Sequence, residues 1–173
     1  APVRPVTVNG GMSMRAWYDI LSLDGEGRSD EAGVRESAAI LLDLVDSEVA
    51  QGIDPARILL AGFSQGGAVA LHAGLRYTTP LAGLMLLSTY LPVQRAFAAE
   101  VRDNAAAQPR SVPIFMAHGT LDPMLPLALG KESAAMIEAA GYTVDWHEYP
   151  MAHGVCPAEI TDIRSFLLDV YST

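Results

Sequence analysis

Arg57-Ile58-Leu59-Leu60-Ala61-Gly62-Phe63-Ser64-Gln65-Gly66-Gly67 decides the fold. Its first part, 57–61, is a short continuous apolar run, the pattern of a strand buried on both faces. Gly62, Ser64 and Gly66 then fit G-x-S-x-G, and residues 65–77 read as a helix. A serine between a buried strand and a helix is held in a tight, strained turn that presents its hydroxyl above the strand ends. Glycines on either side leave room for strand and helix to pack closely. The amide of Gln65, at the helix N-terminus, then faces any negative charge that develops beside the serine. A plain glycine-rich connection is the blander alternative.

Working outward, runs 81–87 and 112–117 read as buried strands, and 142–149 as a fourth strand near a sheet edge. Ser29-Asp30-Glu31 opens a helix with acidic residues at its positive end. Val34, Ala38, Leu41, Leu42, Val45 and Val49 carry its apolar stripe to Ala50, and Gly52 stops it. A small helix plus loop fits 94–109, and a further helix fits 126–140, ending at Gly141. The last runs from 157 to 171. Near the start, Val6-Thr7-Val8 and Met12-Ser13-Met14 flank Asn9-Gly10-Gly11, a hairpin signal, and the Gly-, Asp- and Ser-rich residues 22–29 read as a loop. Strands alternating with helices predict an α/β domain over 1–173, with a mainly parallel sheet and helices on both faces.

Composition removes several classes of function. Half of the 173 residues are hydrophobic and only 18 % are charged, and mean hydropathy is +0.23, against disorder. No run approaches the roughly 18 apolar residues of a membrane span. A net charge of −9 repels phosphate backbones and argues against nucleic acid. The single cysteine, Cys156, excludes an internal disulfide and fits a reducing, cytoplasmic setting; it reads as a small buried residue. The opening Ala1-Pro2-Val3-Arg4-Pro5 has no signal-peptide character.

A serine nucleophile needs a base, and the base an orienter. His72 lies inside the helix that follows Ser64 and reads as packing. His147 is mid-strand, and His118 follows the third strand. His153 lies in Tyr149-Pro150-Met151-Ala152-His153-Gly154, a short loop between the last strand and the last helix, from which an imidazole can reach the serine. For the acid, Asp122 stands in His118-Gly119-Thr120-Leu121-Asp122-Pro123, a loop at the same carboxyl edge of the sheet, with His118 shaping it. Asp54 sits at the wrong end of the Ser64 strand, Asp145 is a strand residue, and Asp162 reads as solvated. The chain order Ser64, Asp122, His153 is that of α/β-hydrolases. No metal-ligand spacing, phosphate loop or dinucleotide fingerprint is present, so no metal or cofactor is expected.

Ala61-Gly62-Phe63-Ser64-Gln65-Gly66-Gly67-Ala68, His118-Gly119 with Asp122 and Pro126, and Tyr149-Pro150-Met151-Ala152-His153 resemble the phospholipase/carboxylesterase (acyl-protein thioesterase) family. Pro5-Val6-Thr7, Asn9-Gly10-Gly11, Met14 and Ala16-Trp17-Tyr18-Asp19-Ile20 resemble its bacterial carboxylesterase branch. The resemblance covers essentially the whole chain. It implies an α/β-hydrolase fold, hydrolysis of short to medium carboxylic and thio esters, and a triad of Ser64, Asp122 and His153. It also implies that Trp17 and Tyr18 lie near the acyl pocket, core packing being the alternative. The sequence departs from the family in holding no His-Gly-x-Gly, the loop that gives the second oxyanion amide on a strand beside that of Ser64. The expectations are therefore an N-terminally truncated hydrolase whose Ser64 strand lies at a sheet edge, paired in a homodimer or complemented by a missing N-terminal segment. The expected activity is that of a serine carboxylesterase on a small-molecule ester. An acyl-protein thioesterase, a lysophospholipase or a weakly active binding scaffold are the alternatives.

Overall fold

A computed structural model describes residues 1–21, 30–103 and 109–172, with backbone alone at 102 and 103. In chain order the elements are β1 (Val3–Val6), β2 (Met12–Arg15), α1 (Glu31–Ala50), β3 (Leu59–Phe63), α2 (Gln65–Gly74), β4 (Gly83–Leu87), α3 (Gln94–Asp103), β5 (Ile114–Gly119), α4 (Leu127–Ala139), β6 (Asp145–Tyr149) and α5 (Pro157–Tyr171). The loop expected at 22–29 and part of the one before residue 109 fall outside the described residues. Strands β3-β4-β5-β6 form a parallel sheet in that order, and β1 and β2 pair separately as an antiparallel hairpin. This is the α/β-hydrolase architecture in its parallel part.

Residue alternation along the strands sorts the core onto two faces. Leu60, Leu84, Leu86, Ile114 and Met116 pack in one cluster with Ala38 and Val45 of α1, Leu71 of α2 and Ile137 of α4. Leu87, Phe115, Ala117 and Tyr149 point the other way, onto Phe166 of α5. Sealing each large side chain from water contributes roughly 1.5–3 kcal/mol, so both helix layers are fastened to one sheet. Asp30 caps α1, its carboxylate accepting from the Gly33 amide at 2.9 Å, as the acidic opening of that helix predicts.

The apolar run before Ser64 behaves differently from its sequence reading. The strand covers 59–63, because Pro55–Arg57 turns as a short 3₁₀ helix under an Asp54 cap. It is the terminal strand of the sheet, at the edge where the sequence analysis expects it. Leu60 is buried, but Ala61 and Phe63 are exposed on the α5 side. The strand is thus covered on one face and only at Leu59 on the other, and its outer edge is unpaired among the described residues. The early hairpin forms, but Thr7–Asn9 is a 3₁₀ turn rather than strand. Cys156 is half-buried rather than buried.

His72 of α2 is 3 % exposed. Burial, with the nearby Arg76 and Arg35 charges, pushes its imidazole down to about 4 from 6.5. Those arginines are held by Glu100 of α3, at 2.5 Å each. The folded chain therefore disfavours a proton that the unfolded chain accepts, so stability is complete above pH 6.5 and falls as pH drops toward 4. A loss of about 3 kcal/mol is expected over that window. His72→Met should flatten the fall. Urea midpoints between pH 7 and 4 measure it, and equal slopes in both proteins would exclude His72 as the cause.

Candidate active site

Ser64 stands between β3 and α2 with φ 54° and ψ −124°, a left-handed backbone costing a non-glycine residue roughly 1–3 kcal/mol. The surrounding packing dictates it. A Cβ on Gly62 would lie 2.2 Å from the Gly66 carbonyl, and one on Gly67 2.8 Å from Thr89. At Gly66 itself a Cβ would meet only the Trp17 indole, at an ordinary 3.6 Å. The glycines that the turn requires are thus Gly62 and Gly67. Hydrogen bonds hold the serine on the sheet side: its amide donates to Leu87 O at 2.9 Å, and Thr89 Oγ1 donates to its carbonyl at 2.7 Å.

Gln65 opens α2. Its amide lies at the positive end of that helix, and its side chain binds a distant segment. Trp17 N donates to Oε1 at 3.1 Å, and Nε2 donates to Tyr18 O at 2.9 Å. Ser37 Oγ donates to the Trp17 carbonyl. Residues 17 and 18 are thereby laid against the turn. Tyr18 is enclosed with Val34, Ala68, Val69 and Val93, its hydroxyl 2.8 Å from that of Tyr90. Trp17 is half-buried, its indole beside Gly66.

Asp122 and His153 meet although 31 residues separate them. Asp122 Oδ2 lies 2.7 Å from His153 Nδ1, with the aspartate side chain wholly enclosed. Oδ1 accepts from the amides of Met124 and Leu125 at 2.8 and 2.9 Å. Burial pushes the carboxyl up, but the Leu125 amide, His153 and the Met124 amide outweigh it and hold the group below its usual 3.8. An ionised carboxylate only accepts hydrogen bonds, so His153 carries its proton on Nδ1 and leaves Nε2 free as a base.

The two loops are laced together by backbone bonds, Thr120 N to Tyr149 O at 2.8 Å and Leu121 N to Met151 O at 3.1 Å. The His153 ring packs on Phe63, centroids 4.7 Å apart, which places the imidazole against the residue preceding Ser64. Ser64 Oγ makes no hydrogen bond among the described residues; in enzymes without substrate such contacts are often long and tighten only on binding. His118 is buried, its Nε2 2.9 Å from Leu125 O and 3.6 Å from Asp122 Oδ2, so it braces the loop that carries Asp122. His147 stacks on Phe115 at 4.7 Å. Asp162, its side chain 42 % exposed as its solvated reading expects, also accepts from the Tyr149 hydroxyl at 2.7 Å.

The parallel sheet and the strand–serine–helix turn define an α/β-hydrolase. The chain belongs to the phospholipase/carboxylesterase family, whose sequence pattern matches residues 1–170. It is 40 % identical to an acyl-protein thioesterase 1 of Gibberella zeae over 96 % of this chain and 73 % of that one. It is equally identical to an acyl-protein thioesterase 1 of Neurospora crassa, over 98 % and 71 %. The crystal structure of Arabidopsis thaliana SOBER1 superposes with a TM-score of 0.89 at 29 % identity, covering 98 % of this chain and 80 % of that one. The family expected from the motifs is confirmed, and the chain is a hydrolase of that family. The bacterial carboxylesterase branch is not supported, since relatives at 40 % identity are fungal thioesterases.

Proposed function

We propose that the protein is a serine hydrolase that cleaves carboxylic esters and thioesters through an acyl-enzyme on Ser64. The observation that carries this reading is the enclosed Asp122–His153 pair at 2.7 Å, packed beside the strained serine turn. Ser64 Oγ attacks the acyl carbonyl while His153 Nε2 takes its proton. Asp122 holds the imidazole tautomer and offsets the charge that it gains. The Gln65 amide faces the developing oxyanion. His153 then protonates the departing alcohol or thiol, and water, activated by the same imidazole, releases the acid and restores the serine. Tyr18 is core, so Trp17 is the aromatic residue placed to border a bound acyl group.

The fungal relatives favour a thioester as the better substrate over the simple carboxylic ester. Labelling with a fluorophosphonate tests the nucleophile first, because only an activated serine reacts; a binding scaffold that kept its triad residues without activity stays unlabelled. Turnover of an octanoyl thioester and the matching oxoester then separates the activities. The expected result is a thioester kcat/KM at least equal to that of the oxoester. An oxoester preference beyond about tenfold, or 1.36 kcal/mol of barrier, would return the assignment to a carboxylesterase.

A further inference from the structure

The Ser64–Gln65 peptide group has two ends with different duties. It is planar and trans, so its carbonyl oxygen and its N–H point in opposite directions. Whatever fixes the oxygen also aims the N–H. That oxygen accepts from Ala68 N at 3.1 Å, the first bond of α2, and from Thr89 Oγ1 at 2.7 Å. Ala68 moves with the helix, whereas Thr89 lies two residues past the end of β4, on the sheet side of the turn. It is 1 % exposed and succeeds Ser88, the residue directly after β4, whose amide donates to Ala117 O at 2.8 Å and whose φ is 45°. The hydroxyl is therefore mounted on a rigid frame, with the Thr89 Cβ and methyl filling the space that a side chain at Gly67 would need.

We propose that Thr89 is a positioning residue for the oxyanion donor: by gripping the Ser64 carbonyl it aims the Gln65 N–H, and it polarises that amide into a better donor. The proposal rests on the serine-hydrolase reading above. Its signature follows from where the N–H acts. Charge on the acyl oxygen is fully developed only in the transition state, so misaiming the donor lowers kcat and leaves KM unchanged. Deleting a donor outright costs about 10²–10³ in kcat. Here the amide remains and only its support is lost, so about a tenfold fall is expected.

Thr89→Val keeps the shape and removes the hydroxyl; Thr89→Ser keeps the hydroxyl and should restore kcat to within about threefold of wild type. If valine overpacks the site, Thr89→Ala against Thr89→Ser makes the same comparison, since those two differ by the hydroxyl alone. The measurements are kcat and KM on a nitrophenyl butyrate, Tm, and inhibition by a trifluoromethyl ketone, whose adduct on Ser64 places an oxyanion at the same position. Support is a kcat loss in Val and Ala that Ser lacks, with Ki rising by the same factor. A purely structural role would lower Tm in every variant and leave kcat where it is, overturning the proposal. So would a valine variant within about twofold of wild-type kcat, or an equal loss in Ser and Ala. Wild-type protein that a fluorophosphonate does not label would overturn the serine-hydrolase reading itself, and Thr89 with it.

Discussion

Ser64→Ala should abolish ester and thioester hydrolysis, lowering kcat by about four to six orders of magnitude, the scale of losing a triad nucleophile. The fold should survive intact. Ser64 Oγ has no hydrogen-bond partner among the described residues, so its removal strands no buried donor or acceptor, and the change in stability should stay within about 0.5 kcal/mol. Ser64→Gly should be equally inactive but more stable than wild type, because glycine adopts φ 54° without the strain that a Cβ brings. The pair thus separates chemistry from folding: both variants lose turnover, and one gains stability at the position where activity requires a strained residue. Turnover of a nitrophenyl butyrate and circular dichroism melts on the same samples measure both effects. Residual kcat above about 1 % in Ser64→Ala would remove Ser64 from the chemistry.

The sequence made the order of strands and helices legible, because each signal there is local. Asp30 and Glu31 announce the start of α1, and Gly52 and Gly141 sit just past helix ends with φ of 96° and 93°. The alternation of apolar strand with helix dictates a parallel sheet. What stayed hidden depends on pairing across space. The run before Ser64 reads as buried on both faces, yet β3 exposes Ala61 and Phe63 on one of them; an apolar pattern states that a strand is covered, not from which side. Asp122 and His153 were legible because their loops follow successive strands, and parallel topology sends both loops to one edge. The Gln65 side chain was not. Its partners Trp17 and Tyr18 lie 48 and 47 residues away, and nothing in G-x-S-x-G marks the residue after the serine as a clamp. Thr89 carries no motif at all. Its part becomes visible only once β4 is known to pair with β3.

Asp122→Asn should leave the loop in place and still cost about 10⁴ in kcat, the loss seen when the triad aspartate of a serine protease is so replaced. The geometry explains why so conservative an exchange is so damaging. Asparagine Oδ1 can accept the Met124 and Leu125 amides as Asp122 does at 2.8 and 2.9 Å, so the turn keeps its shape. Its NH₂ group then occupies the Oδ2 position, 2.7 Å from His153 Nδ1. The carboxylate there, held ionised below its usual range, only accepts; the amide donates. His153 Nδ1 must become the acceptor, and the ring proton moves to Nε2, where the imidazole can no longer take the serine proton. The same NH₂ faces His118 Nε2 across 3.6 Å; that ring already donates to the Leu125 carbonyl, so no acceptor replaces the lost one. Proton NMR reads the tautomer independently of turnover. Wild-type protein should show a downfield His153 Nδ1–H resonance, and the asparagine variant should lack it while its melting curve stays close to wild type. A variant that keeps the resonance, or loses less than about tenfold in kcat, would mean that Asp122 does not orient the base.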